Sequence, residues 1–201
     1  MPRARREEEK TLAREAIMDG AARAFLRAGY RATTMQDIAV EAGCTPPTLY
    51  AYFPGKRGIF DALVGRSLDA IFSVLDAPAS ADLGFEARLE RLLRDLYGIC
   101  EAQRDSFLYF MRLSRHADIG PAHVPERLEG LQSRQAAFVL DLQSRTQEFL
   151  HLPADVLATA FFSLSAGFLE RWAEGGGRES LQDVVPLVMQ LFLRGAGEPP
   201  P

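Results

Sequence analysis

The sequence predicts an all-α protein: an N-terminal three-helix module followed by a larger helical body, about nine helices in all. Three observations carry this. Apolar residues recur at three- and four-residue steps along almost every stretch of useful length. No segment alternates apolar and polar residues over the length of a strand. The interruptions, at Gly29, Gly43, Pro54-Gly55, Gly120-Pro121 and Gly175-Gly176-Gly177, are glycines and prolines spaced as helix ends.

The elements follow in order. A first helix over 11–28 has Leu12, Ala16, Ile17, Ala21, Ala24 and Phe25 on one face, and Gly29 ends it. Thr34 opens a short helix over 35–42, with Asp37 placed three residues on as a capping-box partner and Gly43 as its stop. A second short helix covers 47–53 and breaks at Pro54-Gly55. A longer helix over 56–76 buries Ile59, Phe60, Leu63, Leu68, Ile71, Phe72 and Leu75. Five more are expected over 83–103, 105–117, 124–150, 154–174 and 180–194, and the tail 197–201 is expected to be disordered.

Bulk properties narrow the class. A hydrophobic fraction of 47% supports a real core, yet no apolar run is long enough to span a bilayer. The start, Met1 to Lys10, has no apolar stretch of the kind a secretion signal needs. The two cysteines, Cys44 and Cys100, sit inside apolar helical patterns as reduced thiols, which suits a cytoplasmic protein. A net charge of −4 argues against a protein that coats nucleic acid, but the charge is uneven. Residues 1–60 hold 10 Lys/Arg against 7 Asp/Glu, and the remainder is acidic. A positive N-terminal module on an acidic body fits a local phosphate-binding face.

Residues 35–53 meet the physical requirements of a helix-turn-helix. Two short helices flank a tight turn at Gly43-Cys44-Thr45, where glycine supplies the backbone angles. Ile38, Ala39, Ala42, Cys44 and Leu49 would pack the pair, with Ile17, Ala21 and Phe25 completing the core. The second short helix is then free to enter a major groove.

The ordered pattern Gly29-Tyr30, Thr33-Thr34-x-x-x-Ile38-Ala39, Ala42-Gly43, Thr48-Leu49-Tyr50-x-Tyr52-Phe53 and Lys56, preceded by Ala21-Ala22-x-x-Phe25, resembles the TetR/AcrR family of transcriptional regulators. Beyond residue 60 the likeness is one of architecture and length. The resemblance implies a DNA-binding domain over 1–55 and a ligand-binding and dimerisation domain over 56–201. It implies phosphate contacts from Thr34 and Lys56, backbone contacts from Tyr50 and Tyr52, and a phosphate or base-edge contact from Thr48. Thr45, Pro46 and Pro47, where the recognition helix begins, complete the expected DNA-binding set. Pro46-Pro47 departs from the family, which often has a small residue at the second position. Both prolines are tolerated in a first turn, although Pro47 disfavours helical angles at Pro46 and so places the helix start at Pro47.

Residues 154–194 read as two helices with apolar faces wider than one core requires. Phe161, Leu164, Phe168, Leu169, Trp172, Val184, Val188 and Leu191 are the expected dimer interface, a four-helix arrangement in the resembled family; a core helix in a monomer is the other reading. Tyr97, Cys100, Phe107, Phe110, Met111, Phe138 and Leu142 are the expected ligand pocket, with Arg104, Arg112, Arg134, Gln135 and His116 as polar options. A pocket of this composition suits a small apolar or aromatic effector.

An enzyme is not expected. Ser114, His116 and Asp118 fall within one helical turn and cannot take nucleophile, base and orienter positions. His116, His123 and His151 lack metal-ligand spacing, and neither a metal nor a cofactor is expected. The partners expected are an operator in double-stranded DNA, a second copy of the chain as a homodimer, and the small effector, with no membrane. A DNA-binding regulator without a small-molecule ligand is the alternative, and an all-helical enzyme a remote one.

Overall fold

The second helix shows how local chemistry sets an element's limits. Thr34, in extended backbone, accepts from the Asp37 backbone N–H at 3.1 Å, while the Asp37 carboxylate accepts from the Thr34 N–H at 2.8 Å. Both ends of this capping box satisfy N–H groups that a helix start leaves unpaired. At the other end Gly43 adopts φ 67°, ψ 31°, and the N–H groups of Gly43 and Cys44 close on the carbonyls of Val40 and Ala39.

The structure, a computed structural model, describes residues 2–77, 83–115 and 130–194. Among them are nine α-helices and no strand: α1 (Pro2–Ala32), α2 (Met35–Ala42), α3 (Pro46–Tyr52), α4 (Lys56–Leu75), α5 (Phe85–Ala102), α6 (Arg104–Arg115), α7 (Leu131–Thr146), α8 (Ala154–Glu174) and α9 (Val185–Arg194). A 3₁₀ turn, Leu181–Val184, precedes α9. His116, Asp118, Gly120-Pro121, His123, residues 124–129 of the helix expected from 124, and the tail lie outside the described residues.

Several boundaries differ from expectation; α1 runs on to Ala32, although its backbone leaves helical angles at Gly29 (φ 80°, ψ 159°), where its end is expected. Helix α1 begins at Pro2, well before the apolar periodicity starts. Its first turns are solvated and carry the pairs Arg5–Glu9 and Lys10–Glu7, each at 3.1 Å, so no apolar face marks them. The recognition helix α3 starts at Pro46, with Thr45 as its cap; both prolines fit because the first-turn N–H positions have no intrahelical acceptor to lose. The last helix is split. Pro186 has no N–H, and the chain runs through the 3₁₀ turn before α9 becomes regular.

By packing, the chain forms two compact units, residues 1–67 with 104–124, and 68–103 with 125–201. In the first, Ala21, Ala24 and Phe25 of α1, Ile38 of α2, Leu49 of α3 and Ile59, Phe60 and Leu63 of α4 are essentially solvent-free. Helix α6 completes this core. Its Tyr109 lies 5.5 Å from Phe25 and 6.2 Å from Phe60, ring centre to ring centre. Arg66 fastens three helices together, donating from Nη1 to Glu15 at 2.6 Å and Asp19 at 2.8 Å, and from Nη2 to Ser106 at 3.4 Å. Arg112 adds a bond from α6 to the Leu26 carbonyl at 2.6 Å.

In the second unit α5 buries Phe85, Leu89, Leu92, Leu93, Tyr97 and Cys100. Helices α7 and α8 meet through Val139, Leu157 and Ala158, with Phe138, Phe149, Phe162 and Phe192 around them. Polar links fix the packing. The Tyr97 hydroxyl donates to the Ser165 carbonyl at 2.9 Å, and the Trp172 indole N–H donates to the Glu179 carbonyl at 2.8 Å. Gln143, itself buried, donates to the carbonyls of Phe149 and Leu152 at 2.7 and 2.9 Å.

Candidate nucleic-acid interface

The angle at which α2 crosses α1 rests on a missing side chain. A Cβ added to Gly20 would lie 2.6 Å from the Ala42 backbone N and 2.7 Å from its Cα. Only glycine allows α2 to lie this close. Charge holds the crossing from outside: Arg23 donates to the Glu41 carbonyl at 2.6 Å, and Arg27 pairs with the Glu41 carboxylate. Arg14 covers the Phe53 ring at 4.2 Å just past the end of α3. Leu49 anchors α3 into the core, and the opposite side of that helix faces solvent.

Of the expected DNA-binding residues, Thr34, Thr45, Pro47, Thr48 and Tyr50 are exposed, while Pro46, Tyr52 and Lys56 are half-buried. Tyr50 keeps 55% of its surface, a large aromatic left out of the core by a helix that has core available. The Thr45 and Thr48 hydroxyls lie 2.9 Å apart, so the start of α3 presents a joined pair of hydroxyls. Thr34 is not a free hydroxyl: it donates to the Asp37 carboxylate at 2.7 Å. That bond is the leading cause holding the Asp37 carboxyl below the usual carboxylate range.

Lys56 is the most committed of the set. Its Nζ donates to the carbonyls of Tyr30, Arg31 and Thr33 at 2.6, 3.1 and 2.7 Å, and sits 4.6 Å from the centre of the Tyr30 ring. An ammonium has three N–H donors, and here each meets a carbonyl at the end of α1. Burial pushes its pKa down from the ordinary lysine value. Its placement sets where Thr34 and the start of α2 stand.

The residues expected in the pocket divide between the two units. Phe107, buried, and Phe110 and Met111, half-buried, belong to the first. Tyr97, Cys100 and Leu142, buried, and Phe138, half-buried, belong to the second. Burial is the main cause raising the Cys100 thiol to about 12, so it stays protonated and inert. Among the polar options Arg112 holds the Leu26 carbonyl, and Arg134 pairs with Asp76 and lies over Phe72 at 4.5 Å.

Of the residues expected at the dimer surface, Phe161 and Val188 have no exposed area within the subunit and Trp172 very little. Leu164, Phe168, Leu169, Val184 and Leu191 are partly exposed, and Val156 and Leu187 stand out beside them. Sequence reasoning missed Gly20, Arg66 and Arg88. Arg88 had a signal: it falls on the apolar face of α5 between Phe85 and Leu92, where a charge is out of register. Gly20 and Arg66 had none, since a close crossing and a three-helix bridge depend on partners distant in sequence.

Among the described residues no three His, Cys, Asp or Glu side chains come together as a metal site, and no helix is long and apolar enough to cross a membrane. The family model described as "Bacterial regulatory proteins, tetR family" matches residues 17–63, the segment from the middle of α1 into α4. Over longer spans the chain is similar to the transcriptional repressor KstR2 of Rhodococcus jostii, at 26% identity covering 92% of each chain. It is also similar to the repressor ComR of Escherichia coli, at 24% identity covering 91% of this chain and 90% of that one. Among solved structures, the MbdR regulator of Azoarcus sp. CIB shares the fold with a TM-score of 0.71 at 21% identity, covering 92% of this chain and 100% of its own. FadR of Bacillus subtilis, solved in complex with stearoyl-CoA, does so with a TM-score of 0.68 at 16% identity, covering 91% and 99%.

Proposed function

We propose that the chain is a cytoplasmic repressor of the TetR type, which its match to that family's model over residues 17–63 and its repressor relatives support, and that it binds a pseudo-palindromic operator as a homodimer and leaves it when a small apolar or aromatic molecule binds. The observation that carries this reading is the solvent-facing side of α3. Thr45, Thr48 and Tyr50 stand out from a helix locked in place by Leu49, by the Gly20 crossing and by Arg14. A helix so held, with hydroxyls and an aromatic left in solvent, suits insertion into a major groove. Thr34, the exposed Pro47 and the half-buried Pro46 and Tyr52 flank it, and Lys56 acts by placing the start of α2.

Residues 1–55 form the DNA-reading module in this account, and 56–201 the sensing and dimerising body. The repressor names of the curated relatives and the acyl-CoA bound to Bacillus subtilis FadR support regulation by a small molecule. Helix α4 runs unbroken from Lys56 to Leu75, passing from one compact unit to the other. Ligand binding would shift its tilt and with it the spacing of the two recognition helices. The ligand acts only through its different affinity for the two spacings.

Selection of bound genomic DNA by the purified protein is the test. Recovered sites should hold two half-sites about 10 base pairs apart or a multiple of that. The Tyr50→Phe variant should bind them on the order of tenfold more weakly with an unchanged melting temperature. No enriched site, or equal binding by the variant, would count against the assignment of α3.

A further inference from the structure

We propose that Arg88 holds the anionic head of the effector: a carboxylate or phosphate group carried by an otherwise apolar molecule. This deepens the ligand-responsive reading above and rests on it.

Arg88 is 7% exposed, on the buried face of α5 with Phe85, Leu89 and Leu92. Its Nη2 is buried and has no hydrogen-bond partner. Several carboxylates of the same unit have partners of their own. Glu90 pairs with Arg94 at 2.6 Å, and Asp95 faces Arg91 at 3.9 Å. Asp76 pairs with Arg134, and Glu148 accepts from the Phe85 N–H at 3.3 Å. Glu101 accepts from the Leu181 N–H at 2.6 Å and the Ser180 hydroxyl at 3.0 Å.

A buried N–H group left without an acceptor is costly, and a guanidinium, unlike an ammonium, cannot escape by losing its proton. A fold that keeps such a group on an apolar helix face gains from it when an anion arrives. The fork of N–H donors matches a carboxylate or a phosphate. The side chains sharing its face are aromatic or aliphatic, so the rest of the ligand is apolar. The backbone that follows α7 is strained on the same side of the unit: Phe149 has φ 55°, and its ring lies 4.7 Å from that of Phe85, one turn before Arg88.

The test uses the full chain as wild type, Arg88→Met and Arg88→Lys. Probes are three ligands with one tail and different heads: decanoate, decyl phosphate and decanol. Binding is read by thermal shift and calorimetry, and operator release by fluorescence anisotropy. Wild type should bind decanoate or decyl phosphate on the order of tenfold or more tightly than decanol. The preferred head tells a carboxylate ligand from a phosphate one. Arg88→Met should melt at or above the wild-type temperature, because a buried donor without an acceptor has gone, and should lose that preference. Arg88→Lys should keep part of it.

Equal binding of anion and alcohol by wild type overturns the proposal, as does undiminished preference in Arg88→Met, or no binding of any probe by wild type. Operator release by decanol alone would overturn the role of Arg88 while leaving ligand-responsive repression standing. Failure to enrich any genomic site would strike the regulator reading instead.

Discussion

Lys56 and Thr34 both stand at positions that suggest DNA contact, and both spend their polar groups on the protein. Replacing Lys56 by Met leaves three carbonyls at the end of α1 without their donor. Hydrogen bonds to a charged group contribute about 2 kcal/mol, and Lys56→Met should lose stability of that order in urea unfolding, alongside any weakening of operator binding. A residue acting solely on phosphate would weaken binding and leave the unfolding midpoint alone. Asp37 gives a pH signature. Its folded pKa lies below the unfolded value because the Thr34 hydroxyl and backbone N–H bond the carboxylate. The stability it contributes is complete above the ordinary carboxylate range and is lost as pH falls through the lowered folded value. An NMR titration should therefore find Asp37 titrating below a model aspartate, and Thr34→Ala should return it towards normal. Residue types were legible from the sequence here, but their partners were not, because Lys56 meets carbonyls that lie far back in the chain.

At the scale of elements, legibility followed the number of local signals. Helix α2 was readable to the residue, since Thr34, Asp37 and Gly43 mark both ends chemically. The start of α1 was not, because its first turns depend on exposed ion pairs and have no apolar stripe. Pro46 was placed outside α3 by the steric rule for residues before proline; Thr45 capping the helix one residue earlier outweighed that preference. The α1–α2 crossing offers a direct test. Gly20→Ala puts a methyl against the Ala42 backbone, which cannot rotate away as a side chain would. Overpacking of this kind costs about 1–3 kcal/mol. Chemical denaturation should show that loss, and operator affinity should fall further than stability alone accounts for as α2 and α3 shift together.

For the whole molecule, burial sorts the apolar residues of α8 and α9 into two groups that periodicity had merged. Phe161 and Val188 belong to the subunit's own core, and Phe161→Ala should cost about 3–5 kcal/mol as a core truncation. Leu187 is 47% exposed, and Leu187→Glu should leave the subunit folded. In the homodimer reading it should yield a monomer in analytical ultracentrifugation, with operator binding lost because one recognition helix reads only half a site. A Leu187→Glu protein that stays dimeric would move the interface elsewhere. No count of apolar positions could have made this division, since it depends on which face each helix turns to its neighbours.

The passage of the chain out of the first compact unit after Ser67 and back at Arg104 has a consequence for engineering. A single junction is the simplest way to graft the N-terminal helices of one such protein onto the body of another. A graft ending anywhere within α4 would leave behind Tyr109, which closes over Phe25 and Phe60, and Ser106, which receives Arg66. A working chimera of this protein therefore needs two junctions, with α6 travelling alongside the head it completes.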